Sequence, residues 1–350
     1  MSSFFIKFFN IKKNFLGVIS LSFIVFVATA SMLAYVLAPD NSSNANNMNL
    51  SIHSQKPGFS VDILKEKKTR IDPQSLHEIL LFGVNETSDE IAVSDYYMQG
   101  DLIFYKEFKS LDQSLKSVVR NDYVVEKKYF LFGTDKFGRD VLSRILVGSR
   151  ISISIGFISV VISLVIGLFF GLISGYYSGF VDKIIMWLIN VTWSIPTLLL
   201  VIAITLALGK GFWQVFIAVG LTMWVEVARL VRGQVKILKE RKFIVAAKVM
   251  GFGDFRIIMF HILPNIISPI IVISAANFAA SILIESGLSF LGLGAQPPMI
   301  SWGLMIKDHY NYIILGEPFL AIIPGICIML LVTSFMLLGN SLRDILDVKN

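Results

Sequence analysis

The chain has 350 residues, of which 55% are hydrophobic and only 16% charged, against about 25% charged in a typical soluble domain. With a mean hydropathy of +0.70, this excludes a soluble globular protein and describes a polytopic membrane protein, in which spans matter more than a count of domains. Lys and Arg number 31 against 25 Asp and Glu, a net charge of +6, but the excess sits beside apolar runs, so positive-inside topology accounts for it better than a nucleic-acid partner.

Lys7, Lys12 and Lys13 precede a charge-free run over 15–38. Ala28-Thr29-Ala30 resembles a signal-peptidase site, yet the run continues to Ala38 and is long enough to span. The expectation is an uncleaved first span with a cytoplasmic N-terminus, residues 1–38 together. Residues 39–132 then form an extracytoplasmic insert, opening on a flexible polar linker, NSSNANNMNL over 41–50. The insert holds no run that could cross a bilayer and reads as a small cap or packing domain. Its Asn85-Glu86-Thr87 triplet is assigned no role. In FLFGTDKFGRDVLSRILVGSR, Thr134 or Asp135 can cap a helix that is either a short amphipathic element at the outer interface or an elbow into the next span.

The second span covers 151–177, and Ser159, Ser163, Gly167, Gly171, Gly175 and Gly179 recur every four residues along it. Gly167, Gly171 and Gly175 are read as a helix-packing stripe. The third span, 184–208, follows a turn at Asp182 and Lys183, contains Trp193, and is expected to break at Pro196. After Lys210 and Gly211 a fourth span covers 212–228, with Glu226 and Arg229 close enough to pair.

A basic segment over 229–265 interrupts the lipid-like pattern. Arg229, Arg232, Lys236, Lys239, Arg241, Lys242, Lys248 and Arg256 face only Glu240 and Asp254. In lipid the cluster from Arg232 to Lys242 would cost about 15 kcal/mol, so the segment lies in water. Residues 243–250 should form one short helix stopped by Gly251 and Gly253. A second, 254–261, is expected to be capped by Asp254 and ended by Leu263-Pro264. Such a pair is either a ball offered to a socket on another protein or an elbow linking two spans. A fifth span covers 266–291, with Pro269 near its start and Glu285 toward the far interface; the outer loop is 292–317, and a sixth span covers 319–342. Arg343 and Lys349 follow, so both termini are expected in the cytoplasm. The one cysteine, Cys327, allows no intrachain disulfide.

AAKVMGFGDFRIIMFHILP is similar to the EAA loop of ABC-importer membrane subunits. GTDKFGRDVLSRILVGSRISISIG (133–156), ARLVRGQV (228–235), IESGLSFLGLGAQPPMISWG (284–303) and LLGNSLRDILD (337–347) resemble the C-type permease of dipeptide and oligopeptide importers. The resemblance implies an all-α, six-span membrane protein with a type I importer (MetI-like) core over 133–350, preceded by an extra span and the insert. It implies half of a heterodimeric peptide pore with a homologous permease, two ATPase subunits and an extracytoplasmic binding protein as partners. This chain lacks a G-x-x-x-x-G-K-[ST] phosphate loop, so it is expected to be no enzyme and to bind neither cofactor nor metal, with ATP and Mg used by the partners. The implied coupling residues are Ala246, Ala247, Lys248, Gly251, Asp254, Leu263 and Pro264. Trp193, Asn277 and Glu285 are candidates for the translocation path. Two departures stand out: Val245 occupies the place of the leading glutamate, and the insert is longer than the family commonly carries. Import of nickel, glutathione or another small solute, an ion-coupled secondary transporter, and a receptor or scaffold are the competing readings.

Overall fold

The computed structural model describes residues 14–67, 74–84, 89–109, 114–209 and 211–346; Lys7, Lys12, Lys13, the Asn85-Glu86-Thr87 triplet, Lys210 and Lys349 lie outside the described residues. In chain order the elements are α1 (Phe15–Met32), α2 (Ala34–Leu37), β1 (Phe59–Glu66), α3 (Leu76–Phe82), β2 (Glu90–Gln99), β3 (Leu102–Glu107), β4 (Lys116–Val119) and β5 (Tyr123–Phe130). There follow α4 (Val141–Tyr177), α5 (Gly179–Trp193), α6 (Thr197–Leu208), α7 (Phe212–Lys239), α8 (Lys242–Val249), α9 (Asp254–Ile257), α10 (Leu263–Phe290), α11 (Trp302–His309) and α12 (Phe319–Leu346).

Five helical stretches among the described residues are long and apolar enough to cross a membrane, and α5 with α6, bent by 91°, makes a sixth if the pair is one span. The bend falls at Ser194-Ile195-Pro196, where the sequence expects it: Pro196 has no N–H to continue the helix. The chain divides into two compact units.

One unit comprises Val27–Ile151 and Pro297–Ile326. Among its described residues the insert, for which the sequence reading specified no secondary structure, contains an antiparallel five-stranded sheet of order β4-β3-β2-β1-β5 beside α3. Ile63 of β1 stands opposite Ala92 and Glu126. A two-residue hairpin at Gly100-Asp101, with Gly100 at φ +61°, joins β2 to β3. Ile52, Val61, Ile63, Ala92 and Phe130 form one apolar cluster of this unit, and Leu64, Val93, Ile103 and Tyr105 another. Residues 41–50 are not a flexible linker. Asp40 accepts from Ser42 N and Asn47 N, Arg139 donates to Asn46 Oδ1, and Ala45 is fully buried. The helix cap is also corrected: α4 begins at Val141, and Asp140, rather than Thr134 or Asp135, accepts from Ser143 N at 2.8 Å. No separate amphipathic helix precedes the span, since α4 is continuous over 37 residues.

The other unit comprises Met1–Phe26, Ser152–Gln296 and Cys327–Asn350. Here α4 and α7 pack in parallel. A Cβ placed at Gly167, Gly171 or Gly175 would meet the Cβ of Val227, Val231 or Val235 at 2.5, 2.7 and 2.6 Å. The three glycines therefore let the two backbones approach closely. Helix α7 outlasts its expected end at Ala228 and runs to Lys239. The reason is amphipathic: Val227, Val231 and Val235 stay buried, while Arg232 and Lys236 both reach the Asp182 carboxylate at the start of α5, at 2.6 and 2.7 Å. The expected stop at Leu263-Pro264 is likewise absent, because a π-helical turn over Ile258–Ile262 carries α9 into α10. A wider turn tolerates a proline whose missing N–H would break a regular helix.

Gly171→Ala is expected to cost about 1–3 kcal/mol by overpacking, whereas Gly287→Ala, with nothing within 4 Å of the added carbon, is expected to be neutral or mildly stabilising. Thermal unfolding of the detergent-purified chain, followed by tryptophan fluorescence, checks the contrast.

Candidate functional site

The basic segment is two structures in sequence. Its first half is the charged end of α7; its second half is a compact projection formed by α8, α9 and the π turn. Ile244 and Ala247 of α8, Ile257 of α9, and Ile262 and Ile266 beyond it are buried. They join Leu172, Tyr176, Val227, Val231 and Val235 in one apolar cluster. The projection is thus seated on the ends of α4 and α7.

Gly251 stops α8 in the way the sequence requires. It adopts φ +79°, its N–H bonds Lys248 O at 2.9 Å, and Phe252 N bonds Ala247 O at 3.1 Å. These are the two hydrogen bonds of a Schellman cap, which favours glycine. Space is not the constraint, since nothing lies within 4 Å of an added Cβ. Asp254 does not act as the cap; Gly253 holds that position without a side-chain bond. The Asp254 carboxylate instead accepts from Tyr176 Oη at 2.6 Å. Lys248 Nζ stands 5.0 Å from the Tyr176 ring centroid, and Lys239 Nζ donates to Tyr176 O and Ser178 Oγ.

Among the expected coupling residues, Ala247 is buried, Leu263 half-buried, and Ala246, Lys248, Gly251, Asp254 and Pro264 are exposed. The sequence reading missed the large apolar side chains beside them. Phe243, Val245, Val249, Met250, Phe255 and Phe260 are all exposed, with Val249 at 83%, Phe255 at 74% and Phe260 at 70%. Part of the signal was available in helical spacing: with Ile244 and Ala247 on the buried side of α8, Val245 and Val249 fall on the opposite side.

The three candidate path residues do not gather at one place. Asn277 and Glu285 are buried on one face of α10 with Ser281 and Ser289 between and beyond them, at a spacing of four. Ser289 Oγ donates to Glu285 Oε1 at 2.6 Å, and Ser281 Oγ to Asn277 O at 2.7 Å. Trp193 instead carries the Arg229 guanidinium 3.6 Å from its ring centroid. Arg229 also reaches Asn190 Oδ1 at 3.3 Å, so it turns to α5 and not to Glu226. A cavity of about 610 Å³ opens beside Gln234 of α7, Asn265, Ser268 and Pro269 of α10, and Arg343 of α12. Among the described residues no group of three His, Cys, Asp or Glu side chains could hold a metal ion.

In the unit that contains the sheet, the motif at 133–150 forms a buried ionic knot. Asp135 accepts from Phe137 N, Arg139 N and Arg139 Nε at 2.8, 3.0 and 2.7 Å. Arg144 Nε lies 3.5 Å from the same carboxylate. Gly138 sits at φ +73°, where an added Cβ would lie 1.7 Å from Asn49 O, so the loop closes directly on the insert's backbone. His309 is fully buried in the same unit. Its Nδ1 bonds Met305 O at 2.8 Å, and its Nε2 has no partner among the described residues. Burial pushes this imidazole below the usual histidine range, against the Met305 bond and the Asp135 and Asp308 carboxylates, with Arg144 nearby.

Apolar helices of membrane-crossing length, with the projection of α8 and α9 seated on two of them, describe a multi-span membrane protein. A family model described as the binding-protein-dependent transport system inner membrane component matches residues 167–348, and the chain belongs to that family. It is a multi-pass permease subunit of an ABC importer, a class that works with ATPase subunits. The chain is 43% identical over 217 residues to the glutathione transport system permease protein GsiD of Pectobacterium atrosepticum, covering 62% of this chain and 72% of that protein. Over 218 residues it is 43% identical to the dipeptide transport system permease protein DppC of Alkalihalophilus pseudofirmus, covering 62% and 71%. Among solved structures, an inward-facing MetNI methionine ABC transporter matches at a TM-score of 0.48 and 17% identity, covering 59% of this chain and 97% of that one.

The depressed His309 pKa has a defined sign in stability. The unfolded imidazole takes its proton near pH 6.5, the buried one only at lower pH, so stability is full above about 6.5 and declines as pH falls below it. His309→Gln is expected to flatten that part of the profile, measured as the thermal midpoint between about pH 7.5 and pH 5.5.

Proposed function

We propose that this chain forms half of the translocation pore of an ATP-driven importer of short peptides, with a homologous permease as the other half. The reading covers both the dipeptide and the glutathione systems named among its relatives, since glutathione is itself a tripeptide. The observation that carries it is the projection of α8 and α9, floored by the ends of α4 and α7 and presenting exposed apolar side chains inside a basic segment. Such a face in water suits a protein socket, and an ABC ATPase is the partner the family supplies.

In this reading the basic segment and both termini are cytoplasmic, and 39–132 is an extracytoplasmic cap on the side where a binding protein delivers the solute. ATP and Mg belong to the ATPases, and this chain binds no cofactor. Ala246, Ala247, Lys248, Gly251, Asp254, Leu263 and Pro264 serve the docking projection. Ala246 allows close approach, and Gly251 sets the angle between α8 and α9. Val245, exposed on the same side of α8 as Val249, takes an apolar contact where the usual glutamate would take a polar one. Asn277 and Glu285 form a buried polar stripe on α10 that faces into this chain toward α7, so it is better suited to brace the bundle beside a solute path than to line it; Trp193, stacked on Arg229, is better suited to hold α5 against α7. Movement of the projection by ATPase closure would swing the bundle between two access states.

Phe255→Asp changes an exposed side chain that packs in no core, and is expected to lower ATPase co-purification in mild detergent at least tenfold while leaving membrane insertion intact. Gly251→Leu is expected to strain the cap and reduce solute uptake per ATP hydrolysed. Wild-type chain that isolates without any ATP-binding subunit under the same conditions would overturn the docking assignment.

A further inference from the structure

We infer that Tyr176 is a positioning residue that transmits motion of the docking projection into α4, through the hydrogen bond from its Oη to Asp254. The inference rests on the coupling role proposed above and names the connection by which it works. Asp254 is one of two acids among eight cations in the basic segment. Yet among the described residues its carboxylate pairs with none of those cations and takes the neutral phenol at 2.6 Å. Tyr176 occupies the last turn of α4 and is 3% exposed. Three parts of the segment converge on it: Asp254 at the hydroxyl, Lys248 5.0 Å from the ring centroid, and Lys239 at its backbone carbonyl.

The apolar floor under α8 and α9 is non-directional and would tolerate sliding or rotation of the projection. A short charge-assisted hydrogen bond is directional and fixes that rotation relative to α4. Helix α4 is continuous over 37 residues, about 55 Å of rod at 1.5 Å per residue, and its glycine stripe locks it to α7. A displacement imposed at Asp254 is therefore imposed on the end of a long, packed lever.

Tyr176→Phe keeps the ring, its burial and its cation contacts and deletes only the hydroxyl, so it isolates the bond. The test uses the full assembly in lipid nanodiscs: this chain, its partner permease, the ATPases, and the binding protein loaded from a mixture of dipeptides and glutathione. The readout is the ratio of binding-protein-stimulated to unstimulated ATP hydrolysis. Tyr176→Phe is expected to lower that ratio several-fold while the variant still inserts and assembles with its partners. Asp254→Ala should match it, Asp254→Asn, which still offers an acceptor, should recover most of it, and the Tyr176→Phe/Asp254→Ala double variant should be no worse than either single one. A wild-type ratio in Tyr176→Phe, or additive losses in the double variant, overturns the relay alone. Absence of stimulation in the wild-type assembly overturns the coupling reading, and the relay with it.

Discussion

The close approach of α4 and α7 is the constraint on which the rest of the helical unit depends. In lipid, apolar side chains gain nothing by leaving their surroundings, so helix association rests on dense packing. Gly167, Gly171 and Gly175 provide it over three successive positions, each filled by a valine of α7. Because the two helices run in parallel, the contact also brings their final turns together. Leu172 and Tyr176 then share one surface with Val231 and Val235, and that surface is the floor on which Ile244, Ala247 and Ile257 sit. Without the glycine stripe the projection would have no common base.

The charges are arranged by the same contact. Asp182, just past the end of α4, is buried between α4 and α7 and takes Ser174, Arg232 and Lys236 together. Lys239 satisfies the carbonyl of Tyr176, where a helix terminus leaves acceptors unpaired. Four of the cations are therefore committed to the scaffold, counting Arg229 on Trp193. Arg241 and Lys242 remain exposed on the projection, while Lys248 and Arg256, also exposed, lie over the Tyr176 and Phe252 rings, so the cations past Lys239 divide between those that face outward and those that lie against the projection's own aromatic rings.

Much of this is written in local pattern. A residue repeat of four announced the packing stripe, Pro196 the bend, and Gly251 the end of α8, because each depends on a short-range rule. The ends of α7 and α9 were illegible for the opposite reason. Charges from Arg229 onward read as a departure from the helix until Asp182, some 50 residues earlier, is known to pair with them. Leu263-Pro264 reads as a stop until the π turn before it is seen. The cap role of Asp254 failed similarly, since its partner Tyr176 lies 78 positions away. The polar run at 41–50 looked like linker because much of its order comes from Tyr35, Asp40 and Arg139 outside it. The sheet of the insert has short, mixed strands whose pairing is decided by contacts that no single strand displays.

The departure at Val245 takes on a different meaning in this setting. A glutamate there would be one polar contact; a valine adds to the exposed apolar side chains of the segment, on the same side of α8 as Val249 four residues on. Burial of such side chains against a partner is worth about 25 cal/mol per Å² before ordering costs, so loss of one ion pair need not weaken attachment. What an apolar face lacks is orientation, because hydrophobic contact has no preferred direction. Orientation must then come from the seating of the projection itself: the cap at Gly251, the shared floor, and the hydrogen bond between Asp254 and Tyr176. On the docking reading proposed above, its geometry is set from below, by the membrane helices, more than from across the interface.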